Sequence, residues 1–135
     1  MMDTSDRSNT DNYLNLDRFI DAQGKVYDRV LAELNDGQKR SHWMWYIFPQ
    51  YKGLGRSPTA RYYAIESREE ALAYLNHPLL GSRLRKCANL LLAIEGKTAN
   101  EIFGYPDDLK LKSSMTLFFQ VASDSLFSDV LNKYF

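Results

Sequence analysis

Leu80, Leu84, Cys87, Leu91 and Ile94 recur at alternating steps of four and three residues, the spacing that lines up side chains on one stripe of an α-helix. The same period returns in Leu16, Phe19, Ile20, Tyr27, Val30, Leu31 and Leu34, and again in Leu111, Met115, Phe118, Phe119 and Ala122. Each stripe must be covered by another element, and helices are the only partners the rest of the chain supplies. Strand alternation bounded by hairpin turns is missing, with Tyr62 to Ile65 the one short candidate. The expected fold is all-α, a compact single-domain multihelical bundle with short capped helices.

The punctuation predicts where those helices start and stop. A first helix covers 16–35 and stops at Gly37; Ser41 caps a short one from His42 to Phe48 that Pro49 ends. Ser67 and Glu70 form a capping box for a helix that ends before His77-Pro78, and Gly96 closes the 79–95 helix. Thr98 and Glu101 make a second capping box, with a short helix to Gly104. A helix over 106–122 follows, and Ser125 caps a last one through Leu131 to Phe135.

A chain of 135 residues fits one domain, and 44% hydrophobic with 25% charged residues is a globular composition. Met1 to Asn12 is polar and turn-prone, so residues 1–12 are expected as a disordered tail and 13–135 as a single helical domain. No apolar run reaches the ~20 residues of a membrane span, and the lone Cys87 fits a reducing, cytoplasmic setting. One cysteine and two histidines cannot build a structural zinc site, and no spaced carboxylates define another metal site. The net charge is zero, so any attraction for nucleic acid or membrane must be local.

Three polar residues break the apolar stripes. At 100° per residue Gln23 falls between Phe19 and Tyr27, Arg83 projects with Cys87, Leu90 and Ile94, and Ser114 lies between Phe118 and Val121. A buried amide or guanidinium needs a hydrogen-bonding partner in the fold or in a ligand. Either each is satisfied by its own backbone surroundings, or the three meet in one polar recess.

Between Asp36 and Glu66 the chain has no acid. It has Lys39, Arg40, Lys52, Arg56 and Arg61, with His42 and seven aromatic residues, so this segment carries +5 and the remainder −5. Positive charge beside flat rings suits a ligand with a phosphate and a π face. Trp43 and Trp45 would be its stacking walls, His42 a general acid/base with a tuned pKa, and Gln50 an orienting group. In Gly53-Leu54-Gly55-Arg56-Ser57-Pro58 the glycines, Arg56 and the Ser57-capped helix start could hold an anion. There is neither a dinucleotide-binding glycine pattern after a strand nor a P-loop, so no cofactor is expected. Asp108, Lys112 and Thr116 lie four apart on one helix face; Asp108 or Asp107 would serve as a carboxylate base and Lys112 as an anion clamp. The bland reading of that pair is a surface i,i+4 contact.

His42-Trp43-Met44-Trp45-Tyr46-Ile47-Phe48-Pro49-Gln50, Gly53-Leu54-Gly55, His77-Pro78-Leu79-Leu80-Gly81-Ser82-Arg83-Leu84, Ile102-Phe103-Gly104 and Lys110 to Phe118 carry a resemblance. From Leu14 onward the chain resembles a family of small, uncharacterised bacterial all-helical proteins of unknown function, some of which bear the misleading label "calpastatin". The resemblance implies a mainly helical, cytoplasmic protein, brings no activity with it, and implies a short Gly- and Asp-containing continuation beyond Phe135. Inhibition of a calcium protease does not follow from the label, since such inhibitors are disordered repeat proteins.

Two functions fit the sequence. In one, the protein binds, and hydrolyses if it is an enzyme, a phosphate-bearing or nucleotide-like small molecule; His42 and Asp108 act as acid and base, and Gln23, Trp43, Trp45, Gln50, Gly53, Gly55, Arg56, Arg83, Lys112 and Ser114 bind. In the other it is a non-catalytic module whose aromatic and basic surface meets a protein or nucleic acid, a reading the zero net charge does not favour. A concave pocket containing His42, Arg83 and Ser114 distinguishes the first, a flat Lys39–Arg61 face the second.

Overall fold

A computed structural model describes residues 15–135. The segment Met1 to Asn12, expected as a tail, lies outside the described residues. Among the described residues the elements are all helices: α1 (Asp17–Gly24), α2 (Tyr27–Asp36), α3 (Met44–Ile47), α4 (Pro58–Tyr62), α5 (Arg68–Asn76), α6 (Leu80–Ala93), α7 (Ala99–Phe103), α8 (Asp107–Ala122) and α9 (Ser125–Tyr134). The strand candidate at Tyr62 to Ile65 reduces to one isolated parallel bridge between Tyr51 and Ile65. The fold is all-α, and no described helix is long and apolar enough to cross a membrane.

α8 packs against α5, α7 and α9, and α6 against α2, α5 and α9. The three apolar stripes meet in one core, where Phe118 of α8 stacks obliquely between Tyr74 of α5 and Phe127 of α9 at 5.5 and 5.9 Å. The 79–95 stripe is buried as its period requires, with Leu80, Leu84, Cys87 and Leu91 almost without exposed surface.

Several boundaries differ from the punctuation. The expected 16–35 helix is two helices, because Val26 leaves helical geometry (φ −132°, ψ −3°) after Gly24. A mid-helix glycine costs about 1 kcal/mol relative to alanine, so this is the cheapest place to turn. The break swings α2 so that Val30 and Leu34 still face the core. Ser41 does not cap a helix: its hydroxyl donates to Glu33 at 2.7 Å, and α3 begins only at Met44. Ser125 is the first residue of α9, whose cap is the Asp124 carboxylate accepting from the Leu126 N–H at 2.9 Å. Gly96 (φ +74°) sits in the turn beyond α6, which already ends at Ala93.

Of the two capping boxes, Thr98/Glu101 closes both ways, at 3.1 and 2.9 Å. Ser67 accepts from the Glu70 N–H at 3.0 Å, but the Glu70 carboxylate is engaged elsewhere.

Candidate functional site

Two buried carboxylates place the aromatic, basic segment on this scaffold. Glu33, on α2, is 5% exposed and accepts from the Arg40 N–H at 2.8 Å, the Ser41 N–H and hydroxyl at 3.2 and 2.7 Å, and the Trp43 indole N–H at 2.9 Å. Burial alone would raise its pKa; the four donors outweigh it and hold the carboxyl at about 2. Position 33 lies at the edge of the α2 apolar arc, the same signal that singled out Gln23, and sequence reasoning missed it.

The second carboxylate is Glu70 of α5, buried with Arg18 of α1 at 3.1 Å. Arg18 also donates to the carbonyls of Tyr62 at 2.7 Å and Ala64 at 2.8 Å, and Glu70 accepts from the Glu66 N–H at 2.8 Å. These contacts fix the strip after α4, which in turn holds the Gln50–Gly55 turn: Ile65 N–H donates to the Gln50 carbonyl at 2.8 Å, and Lys52 N–H to the Ile65 carbonyl at 2.9 Å.

In that turn Gly53 adopts φ +91°, which favours glycine. Gly55 is present for space: an added Cβ would stand 2.6 Å from the Ala60 Cβ and 2.8 Å from the Trp45 ring. It packs the turn onto Trp45. Ser57 caps α4 as expected, its hydroxyl accepting from the Ala60 N–H at 3.1 Å, and Arg56 is exposed beside it.

Beneath the turn lies a small cavity of about 80 Å³, lined by Trp45, Gln50, Gly53 and Gly55 among others. Gln50 is 4% exposed, and its amide nitrogen has no hydrogen-bond partner among the described residues. Tyr51 and Leu54 also line a larger cleft of about 510 Å³, whose opposite wall is the Lys112–Val121 face of α8 and which Arg68 of α5 borders. Lys112 therefore faces a cleft, but without Asp108. The Asp108 carboxylate accepts from the Leu109 N–H at 2.9 Å and the Asn100 amide at 3.4 Å, as a helix-start residue.

On the other side of Trp45 a cavity of about 130 Å³ is lined by His42, Trp43, Trp45, Lys39, Asp107 and Lys110, together with Met44, Tyr46 and Thr59. Asp107, the other acid of the pair, is the one near His42. Burial would raise its pKa, but hydrogen bonds from Lys39 and Lys110 bring it below the usual aspartate value. His42 is exposed, and its imidazole has no hydrogen-bond partner among the described residues. Trp43 is 1% exposed with its N–H on Glu33, so it is a core residue more than a stacking wall.

The three polar residues of the stripes do not form one recess. Gln23 is buried, donating to the Tyr46 carbonyl at 2.7 Å and the Tyr74 hydroxyl at 2.8 Å, and Arg83 reaches its amide oxygen at 3.4 Å while lying 4.5 Å over the Tyr27 ring. That network is closed by tyrosines. Ser114 is fully buried with its hydroxyl unpartnered among the described residues, and it lines none of the cavities above, nor do Gln23 and Arg83.

The fold and site define a small all-helical domain with an aromatic and basic cleft beside its α8. The chain belongs to the DUF1810 family of proteins of unknown function, whose model matches residues 13–135. It is similar in structure to the conserved hypothetical protein Rv1873 from Mycobacterium tuberculosis, known from a crystal structure: TM-score 0.88, 52% identity, covering 90% of this chain and 87% of that one. No curated protein is a significant match.

Proposed function

We propose that the cavity under the Gln50–Gly55 turn and the cleft between Tyr51, Leu54 and α8, which share Tyr51 and Leu54, together bind a small phosphate-bearing, nucleotide-like ligand. The observation that carries this reading is the buried, unpartnered amide of Gln50. A buried donor left unmade costs about 1–3 kcal/mol, and the Gln50 amide, unlike the equally unpartnered Ser114 hydroxyl, belongs to a residue that lines a cavity where an outside group could complete it. The adjoining cleft of about 510 Å³ is in the range of small-molecule sites. Its apolar side, from Leu54, Leu117 and Val121, and the Tyr51 ring suit a flat group. Arg68 and Lys112 suit a phosphate. Arg68 uses one N–H on each of the Gln120 and Val121 carbonyls, both at 3.4 Å, and a guanidinium has five to give.

The reading is one of binding. His42 lines neither the cavity under the Gln50–Gly55 turn nor the cleft beside α8, so it has no part in this reading.

Leucine at position 50 separates a structural from a binding role. Gln50→Leu removes the orphan donor at similar volume, so the protein should keep or gain stability while losing at least about tenfold in ligand affinity. Wild type should be stabilised in a thermal-shift screen by nucleotides, sugar phosphates or ADP-ribose, by about 2.7 kcal/mol at a hundredfold the Kd, and Arg68→Met and Lys112→Met should lose that shift. A wild type indifferent to every such compound ends the proposal.

A surface observation favours a second reading. Tyr51, Leu54 and Tyr62 are 41, 58 and 56% exposed, with Lys52, Arg56 and Arg61 exposed around them. Rings beside cations are a platform for single-stranded nucleic acid. Retention of an oligonucleotide that Tyr62→Ala abolishes, with no response to mononucleotides, would select it.

A further inference from the structure

The cavity on the other face of Trp45 holds a charge arrangement that the nucleotide reading does not use. Lys39 and Lys110 both contact one carboxylate, Asp107, at 2.7 and 3.0 Å. The Lys39 side chain is only 7% exposed. Lys39 Nζ lies 5.1 Å from the Trp43 ring and Lys110 Nζ 4.2 Å from the Trp45 ring, so each ammonium has an aromatic face on one side and Asp107 on another.

Two ammoniums on one carboxylate leave a surplus of +1 in a largely water-excluded corner. Each ammonium has three N–H donors, and one oxygen of Asp107 accounts for one of them. An ion pair that only tied the loop before α3 to the start of α8 would need one lysine. Lys110, 21% exposed, shares the same single negative charge, so the cluster as a whole keeps one positive charge that no carboxylate in it neutralises. Asp107 is also the first residue of the sixteen-residue α8, whose positive dipole end adds to the surplus. The space beside the two lysines is about 130 Å³, a few water molecules' worth, and His42 stands at its exposed side.

We infer that Lys39, Lys110 and His42 form a second binding site, for a small tetrahedral oxyanion such as inorganic phosphate or sulfate or a terminal phosphate of a larger molecule, with Asp107 as the fixed counter-charge that orients both ammoniums. The cavity, at about 130 Å³, has room for one such group with a few waters. The site is independent of Gln50, Arg68 and Lys112.

Inorganic phosphate and sulfate are the probes, titrated into the full chain while the His42 ring, Trp45 indole and lysine Cε signals are followed by NMR. Saturable shifts confined to these groups are expected, with phosphate and sulfate competing. Lys110→Met keeps the stem on Trp45 and should weaken phosphate at least tenfold. Asp107→Asn raises the local surplus from +1 to +2 and should tighten phosphate several-fold, which a merely structural ion pair would not do. No shift at these groups at up to tens of millimolar phosphate overturns the inference, as does a Lys110→Met variant, folded by its NMR spectrum, that binds phosphate like wild type. Should Asp107→Asn unfold, Asp107→Glu, which keeps the charge and lengthens the arm, is expected to alter phosphate affinity, and unchanged affinity counts against the site. A nucleotide phosphate reaching this pocket would be displaced by inorganic phosphate, whereas loss of the Gln50 site leaves the inorganic titration untouched.

Discussion

At the scale of single residues, the buried charges do more to place the candidate sites than the residues that lie in them. Glu33 sits near pKa 2 when folded and near 4.5 when free, so its folded form is stabilised by ionisation. A depressed carboxylate contributes fully above its unfolded pKa and loses that contribution as pH falls toward its folded one. The contribution should therefore be whole at neutral pH and disappear between about pH 4.5 and 2; its size is roughly 3 kcal/mol. Glu33→Gln should cost about that much in urea denaturation at pH 7, with the gap to wild type closing as the pH is lowered. A gap that stays constant with pH would mean that the four donors do not depend on the charge. Cys87, by contrast, is an inert core residue, its thiol pushed up to about 12 by burial. The angular test found Gln23, buried and shared by three helices' side chains and carbonyls, but could not say that tyrosines rather than a ligand fill the space around it. Which partner meets a buried polar group is a tertiary fact, and one helix's periodicity does not contain it.

At the scale of elements, stripe period and caps made the helices legible, and the errors fall where two signals compete. Ser41 reads as a cap from its own neighbourhood, yet a buried carboxylate ten residues from Trp43 claims its hydroxyl. Ser67 and Glu70 read as a reciprocal box, yet Arg18, fifty-two residues away from Glu70, claims the carboxylate. Long-range ion pairs override local capping because they remove a buried charge's cost. Glycines behave likewise. Gly81 lies where α6 starts against α5: an added Cβ would stand 2.0 Å from the Leu75 carbonyl oxygen and 2.9 Å from its carbon. Backbone cannot retreat cheaply, so Gly81→Ala should destabilise by about 1–3 kcal/mol despite alanine's better helix propensity. At Gly24 nothing lies within 4 Å, and Gly24→Ala should be neutral or slightly stabilising. Equal urea midpoints for the two variants would show that α5 and α6 do not approach this closely in solution.

At the scale of the whole molecule, folding reduces the +5 segment to a smaller face of three cations. Lys39 pairs with Asp107 and Arg40 with Asp36, both acids outside the segment, which leaves Lys52, Arg56 and Arg61 exposed and without a carboxylate partner among the described residues. Charge counted along the sequence cannot anticipate this, because the neutralising acids arrive from other elements. Together with Arg68 and Lys112 at the cleft, the remaining cations number five, enough for at most about five phosphate contacts. For a single strand that corresponds to a log–log salt slope of about −3.5, or roughly a hundredfold loss of affinity between 50 and 200 mM salt. A mononucleotide held by Arg68, Lys112 and the Gln50 amide releases no condensed counterion atmosphere, and its affinity should change only a few-fold over the same range. Measuring both ligands by fluorescence anisotropy across that salt series separates the cleft from the face. A steep mononucleotide dependence would mean the phosphate is bound at the open surface, with the Gln50 amide making no contact.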